Sequence, residues 1–139
     1  MSDDLSHLRA ACEAIVKGGG TIFRWEWDDR FHAALSAFPS SASPGARALL
    51  ERHFAQRWNH ESILGAPPDA LGVATSLGGL RAGQELFLSD PARPVTMCAC
   101  WWPWGSGDTI SVRIMPLTGD VSESAEEEVL GEFRRWFGL

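Results

Sequence analysis

The sequence predicts an α+β fold: one domain over residues 1–139, with a small antiparallel sheet of about four strands packed with N-terminal, central and C-terminal helices. Three observations predict it. Apolar residues recur at helical spacing near both ends and in the middle of the chain. Several segments alternate with period two. No repeat, linker or shift in composition divides the chain.

Leu5, Leu8, Cys12, Ile15 and Val16 form the first helical stripe, with Asp3 and Asp4 where the N-terminal end of the dipole favours acids. Gly18-Gly19-Gly20 ends that helix. The triplet is not a phosphate loop, because it closes a helix instead of opening one and no Lys-Ser/Thr pair follows. Thr21 to Trp27 then alternates, placing Phe23, Trp25 and Trp27 on one face of a strand. Asp28 is expected to cap a short helix carrying Phe31, Ala34, Leu35 and Phe38, ended by Pro39, and 40–43 form a loop.

Ser43-Pro44 starts the central helix, whose stripe is Ala46, Leu49, Leu50, Phe54 and Trp58, with Arg47, Arg52 and Arg57 pointing largely to water. A loop follows to Pro67-Pro68. Asp69 to Leu77 favours a short helix, although Val73 and Thr75 also fit a strand. Three strands come next: Gln84 to Ser89, ended by Asp90-Pro91; Val95 to Trp102, apolar on both faces; and Thr109 to Met115. In the last, Ile110, Val112 and Ile114 point inward, and Thr109, Ser111 and Arg113 outward. Residues 103–108 make the hairpin loop. The final helix has a capping box of Ser124 and Glu127, an acidic start from Glu123 to Glu128, and an inner stripe of Val129, Leu130, Phe133, Trp136 and Phe137.

Hydrophobic residues at 45% and charged residues at 22% fit a folded chain, and this length buries enough surface to fold without metal or disulfides. Eighteen acids against twelve bases, with Lys17 the sole lysine, give a charge of −6 and argue against a general nucleic-acid binder. The stripe of Arg47, Arg52 and Arg57 does not outweigh that balance. The acidic start Met1-Ser2-Asp3-Asp4 is unlike a secretory signal. The apolar stretch from Val95 to Trp104 is broken by Pro103 and falls short of the roughly twenty residues a membrane span needs. A cytoplasmic protein with no membrane partner is expected, its Cys12, Cys98 and Cys100 free thiols.

No residue pattern specifies catalysis or a cofactor. His53 and His60 are seven apart, with Cys98 or Cys100 as a candidate third ligand, but no CxxC or HxxxH spacing supports a metal site. No cysteine occupies a position that favours the thiolate. Gly105-Ser106-Gly107 joins two strands, so it is not a nucleophile elbow. Glu26, Asp28 and Asp29 lie close in sequence, but a cap and first-turn charges explain the last two. The expectation is therefore a non-enzymatic protein with no catalytic residues, no metal and no cofactor.

Seven tryptophans are the remaining signal. Trp25, Trp27, Trp58 and Trp136 fall on predicted apolar faces. Trp101, Trp102 and Trp104 crowd together, and strand neighbours face opposite sides, so Trp101 and Trp102 cannot both enter one core. An exposed Trp here suits a binding hot spot. Equally, a helix over the second face would bury Trp102 while Trp104 folds back over the sheet edge. With Trp102 and Trp104 beside Asp108, and the acids Glu123, Glu126, Glu127 and Glu128, the chain resembles the small cytoplasmic immunity proteins with which bacteria neutralise toxins. That resemblance, one of size, charge and character, implies a partner that is a basic toxin or effector domain and carries over no functional residue; the residues themselves point to Trp102, Trp104, Asp108, Glu123, Glu126 and Glu127 as the binding set. A small-molecule binder or enzyme with a Trp-lined pocket and a subunit of a larger assembly are the alternatives.

Overall fold

Helix α1 (Asp3–Gly18) buries Leu5, Leu8, Cys12 and Ile15 on one stripe, as their spacing requires. The computed structural model describes residues 3–90, 93, 95–118 and 122–139; the expected roles of the Asp3 and Asp4 side chains and of Pro91 lie outside the described residues. At the end of α1 the Gly19 N–H donates to the Ile15 carbonyl at 2.9 Å. A Cβ on Gly19 would stand 2.3 Å from the Phe23 ring, so that ring closes the helix only because the position is glycine.

The sheet has six strands, more than expected. Strand β1 (Glu26–Asp28) is shorter than the alternation suggests, although Phe23 is buried and Trp25 and Trp27 pack against the same core. The helix expected from Phe31 to Phe38 is instead strand β2 (Ala33–Pro39). Its residues satisfy both periods: Phe31, Ala34, Leu35 and Phe38 are helically spaced, while Ala34, Ser36 and Phe38 alternate. Pairing with the neighbouring strands decided for the strand, as tertiary context commonly does. Asp28 accordingly caps no helix. It accepts from the Arg30 backbone N–H at 3.0 Å in the turn between the two strands, where His32 adopts a left-handed φ of 51°.

Residues 40–42 form a 3-10 turn ahead of α2 (Ser43–His53), which starts at Ser43-Pro44 without a side-chain cap. Ala46, Leu49 and Leu50 are buried, and Phe54 follows them just past the end. Trp58 does not continue that stripe. It belongs to strand β3 (Gln56–Asn59) and packs on the other face of the sheet. Another 3-10 turn, Ser62–Gly65, leads to α3 (Pro68–Ser76), so the ambiguous segment is helical.

Strand β4 (Glu85–Leu88) pairs with β5 (Thr96–Trp104), which pairs along its length with β6 (Thr109–Leu117). The sheet order is β1-β2-β6-β5-β4-β3, with every pairing antiparallel. β5 runs past Trp102 through Pro103, because β4 has ended opposite Trp101 and a missing N–H costs no ladder bond on that side. The hairpin loop is thus only 105–108, with Gly105 and Gly107 at positive φ. Helix α4 (Glu123–Trp136) starts earlier than the expected Ser124–Glu127 box: Ser122 is the cap, and its hydroxyl accepts from the Ala125 N–H at 3.2 Å.

Two cores result, one on each face. On the first, α1, α2 and α4 bury Phe87, Met97, Trp101, Val112, Ile114 and Phe133. On the second, α3 and the 62–65 turn cover Ala33, Leu86, Leu88, Cys98, Cys100 and Met115. Of the β6 residues expected in water, Thr109 is exposed, but Ser111 is buried and Arg113 is mostly covered. Among the described residues no helix is long and apolar enough to cross a membrane.

Candidate functional site

Alternation along β5 sends Trp101 into the first core and Trp102 to the second face. Trp101 is 2% exposed, and its ring carries the Arg47 guanidinium at 4.6 Å. Arg47 reaches it from α2 and grips Glu85 with both terminal nitrogens, Nη1 to Oε1 at 3.0 Å. Glu85 is the register partner of Trp101 and takes Arg57 Nε at 3.5 Å as well, while Arg57 Nη1 reaches Glu51 at 2.7 Å. Arg47 and Arg57 are thus tied to carboxylates and are not a free basic stripe. This first-face cluster is internally paired.

The second face is built differently. Trp102 is half-buried, edge-on to Phe31 at 6.0 Å between ring centroids. The Arg113 guanidinium sits 4.8 Å from the Trp102 ring centre and 5.2 Å from that of Phe31. Its Nε donates to Asp28 Oδ2 at 2.9 Å. That hydrogen bond, aided by the Arg30 and Phe31 backbone N–H groups and opposed by desolvation, holds the Asp28 carboxyl below its ordinary range. Among the described residues no acceptor meets Arg113 Nη1 or Nη2, and the buried Trp102 Nε1 has no partner. The cluster leaves the partly exposed Arg113 beside an aromatic corner, with the Trp102 indole N–H buried behind it.

Trp104, two residues on, is 57% exposed, so of the two arrangements open to it the outward one holds. Beside it, Asp108 is exposed, accepts from the Ser106 hydroxyl at 2.9 Å, and ties its carbonyl to the Ser40 N–H at 2.8 Å. Glu123, Glu126 and Glu127 are exposed, but on α4, whose stripe of Val129, Phe133 and Trp136 packs on the first face. Trp102 and the helix acids therefore lie on opposite sides of the sheet. Arg113, Phe31 and Asp28 are the residues the sequence reading missed. For Arg113 pairing offers a signal, since once Trp102 is forced to the second face Arg113 on the paired strand must share that face; Phe31 and Asp28 have none.

The remaining groups offer less chemistry. All three cysteines are free and buried. Burial pushes the Cys12 thiol up, and a hydrogen bond to Cys100 together with burial does the same for Cys98, so neither is a thiolate near neutral pH. A cleft of about 280 Å³ between α1 and α2 is lined by His7, Arg52 and His53, the last held low by burial and then by Arg52. Another, of about 660 Å³, lies between α3 and the end of β6. Neither is lined by tryptophan. Among the described residues no three His, Cys, Asp or Glu side chains are grouped to hold a metal ion. No protein-family model, curated protein or solved structure matches the chain.

Proposed function

We propose that this is a non-enzymatic protein-binding protein of the immunity type, which neutralises a toxin or effector by covering its working surface. The observation that carries the reading is Trp104, 57% exposed at the rim of a hairpin whose preceding tryptophan is braced by Arg113 and Phe31. A large aromatic held out on a rigid strand loses little freedom on docking, which is why Trp dominates interface hot spots. Leu64 and Leu71, at 80% and 40% exposure, lie on the elements that cover the same face and add apolar contact area. Asp108 supplies a carboxylate next to the anchor. Glu123, Glu126 and Glu127 act at longer range, through a net charge of −6 that draws a basic partner towards the domain.

The experiment compares the wild-type protein with Trp104→Ala as bait in the native lysate. The reading requires one stoichiometric partner that is lost with the variant and whose toxicity, when expressed alone, co-expression of wild type relieves. A folded Trp104→Ala protein that recovers the same proteins as wild type would overturn it.

A further inference from the structure

Within the proposed binding face, the unused donors at Arg113 define what the partner must bring. Asp28 occupies only the Nε edge of the guanidinium. A planar guanidinium carries five N–H donors, and with no partner on it among the described residues the Nη1–Nη2 edge can take a second, bidentate acceptor. Phe31 and Trp102 hold the group from moving, with its carbon 5.2 and 4.8 Å from their ring centres. The Trp102 indole N–H is a further donor, buried and without a partner among the described residues. Being buried, it does not itself meet an incoming acceptor, and it serves as a reporter of the corner. Arg30, whose guanidinium lies 5.1 Å from the Phe31 ring, adds a positive charge at the rim.

We infer that this corner is a carboxylate-binding site: an aspartate or glutamate side chain of the partner protein seats on the Nη edge of Arg113 against Phe31 and Trp102, while Trp104 anchors beside it. The inference rests on the protein-binding reading only for the source of the carboxylate. An acidic side chain fits the place because Arg113 keeps 14% of its side chain exposed near the exposed Trp104, and neither cleft encloses it. The domain's negative field and this local site do not conflict: one acts over a Debye length on the partner's net charge, the other at contact on a single group.

The test needs no partner, so its failure is separable from failure of the Trp104 reading. Propionate, the glutamate side chain as a free ion, is titrated into ¹⁵N-labelled protein against sodium chloride of equal ionic strength. The Trp102 indole N–H resonance, assigned with Trp102→Phe, reports binding. The expected result is a saturable shift with propionate, none with chloride, and roughly tenfold weaker binding in Arg113→Lys, which keeps the charge but loses the fork. A Trp102 signal that ignores propionate, follows chloride equally, or binds unchanged in a folded Arg113→Lys overturns the inference. Should that variant not fold, the propionate–chloride comparison in wild type decides alone.

Discussion

The two faces of the sheet solve the same burial problem with unequal means. Three helices cover the first, and its core is aromatic and closed: Phe87 and Phe133 are fully buried and Trp101 nearly so. The second has a nine-residue helix and a four-residue turn. It buries mostly small and thiol side chains (Ala33, Ala70, Ala74, Cys98, Cys100), with Trp102 half-covered and Trp104 at the rim. Thin cover leaves Trp104 exposed and Arg113 partly so. The first face also carries ions, but Arg47 and Arg57 are already answered by Glu85 and Glu51. The first face is thus closed and internally paired, and the second is the one on which the proposed binding falls.

That division breaks most directly in paired truncations. Phe133→Ala on the first face should cost about 3–5 kcal/mol, because it removes a large ring from a closed core whose helices cannot all collapse onto the gap. Leu86→Ala, equally buried on the second face, should cost less, about 2–3 kcal/mol, since a single short helix can settle into the space. Urea unfolding of both variants measures the difference. Equal costs, or the reverse order, would mean that the second face is as tightly held as the first.

How much of this was legible follows from the same asymmetry. The stripes of α1 and α4 and the inward residues of β6 were readable because each faces one core with one period. Period failed where residues satisfied two patterns. Ala34 and Phe38 fit a helix and a strand alike, and Trp58 followed Phe54 at helical spacing although the chain had turned into β3. The apolar character of β5 on both sides already implied a covered second face, yet Arg113 looks solvent-facing while its strand is read alone. Only pairing with β5 brings Arg113 against Trp102, and only the β1–β2 turn brings Asp28 and Phe31 to it. Trp102 and Trp104 were found from local geometry. Their neighbours come from strands distant in sequence, which no local pattern encodes.

A smaller effect tests the first-face ion cluster. Glu85 is 17% exposed and answers two arginines, so Glu85→Gln removes the charge but keeps a hydrogen-bonding shape. The expected loss is about 1–2 kcal/mol in urea unfolding, shrinking as salt screens the pairs in the wild type. A neutral result would mean that desolvation cancels the attraction.

On the second face the corresponding pair is Asp28–Arg113, and pH is its lever. Folding lowers the Asp28 pKa from 3.8, so the unfolded chain binds the proton more readily. The pair therefore stabilises the domain above pH 3.8, and that contribution disappears as pH falls through the lower folded-state value. Urea midpoints measured from neutral pH downward should fall more steeply in wild type than in Asp28→Asn. Parallel curves would show that other carboxylates carry the acid response.

Trp104→Ala should do least to stability and most to recognition. Its ring is 57% exposed and lies outside both cores, so truncation should change the unfolding free energy by no more than about 0.5 kcal/mol. Tryptophan fluorescence gives a second measure: the variant should lose emission on the long-wavelength side, where a water-exposed indole contributes, while the buried Trp101 and Trp136 still report a native core. A loss above about 1 kcal/mol would mean that the ring lies back on the sheet edge in solution, and the division of labour between the faces would then fail at the residue that carries it. A near-silent substitution in unfolding, joined to loss of the captured partner, is the combination that separates an anchor from a core residue, because a core residue cannot lose binding without first losing stability.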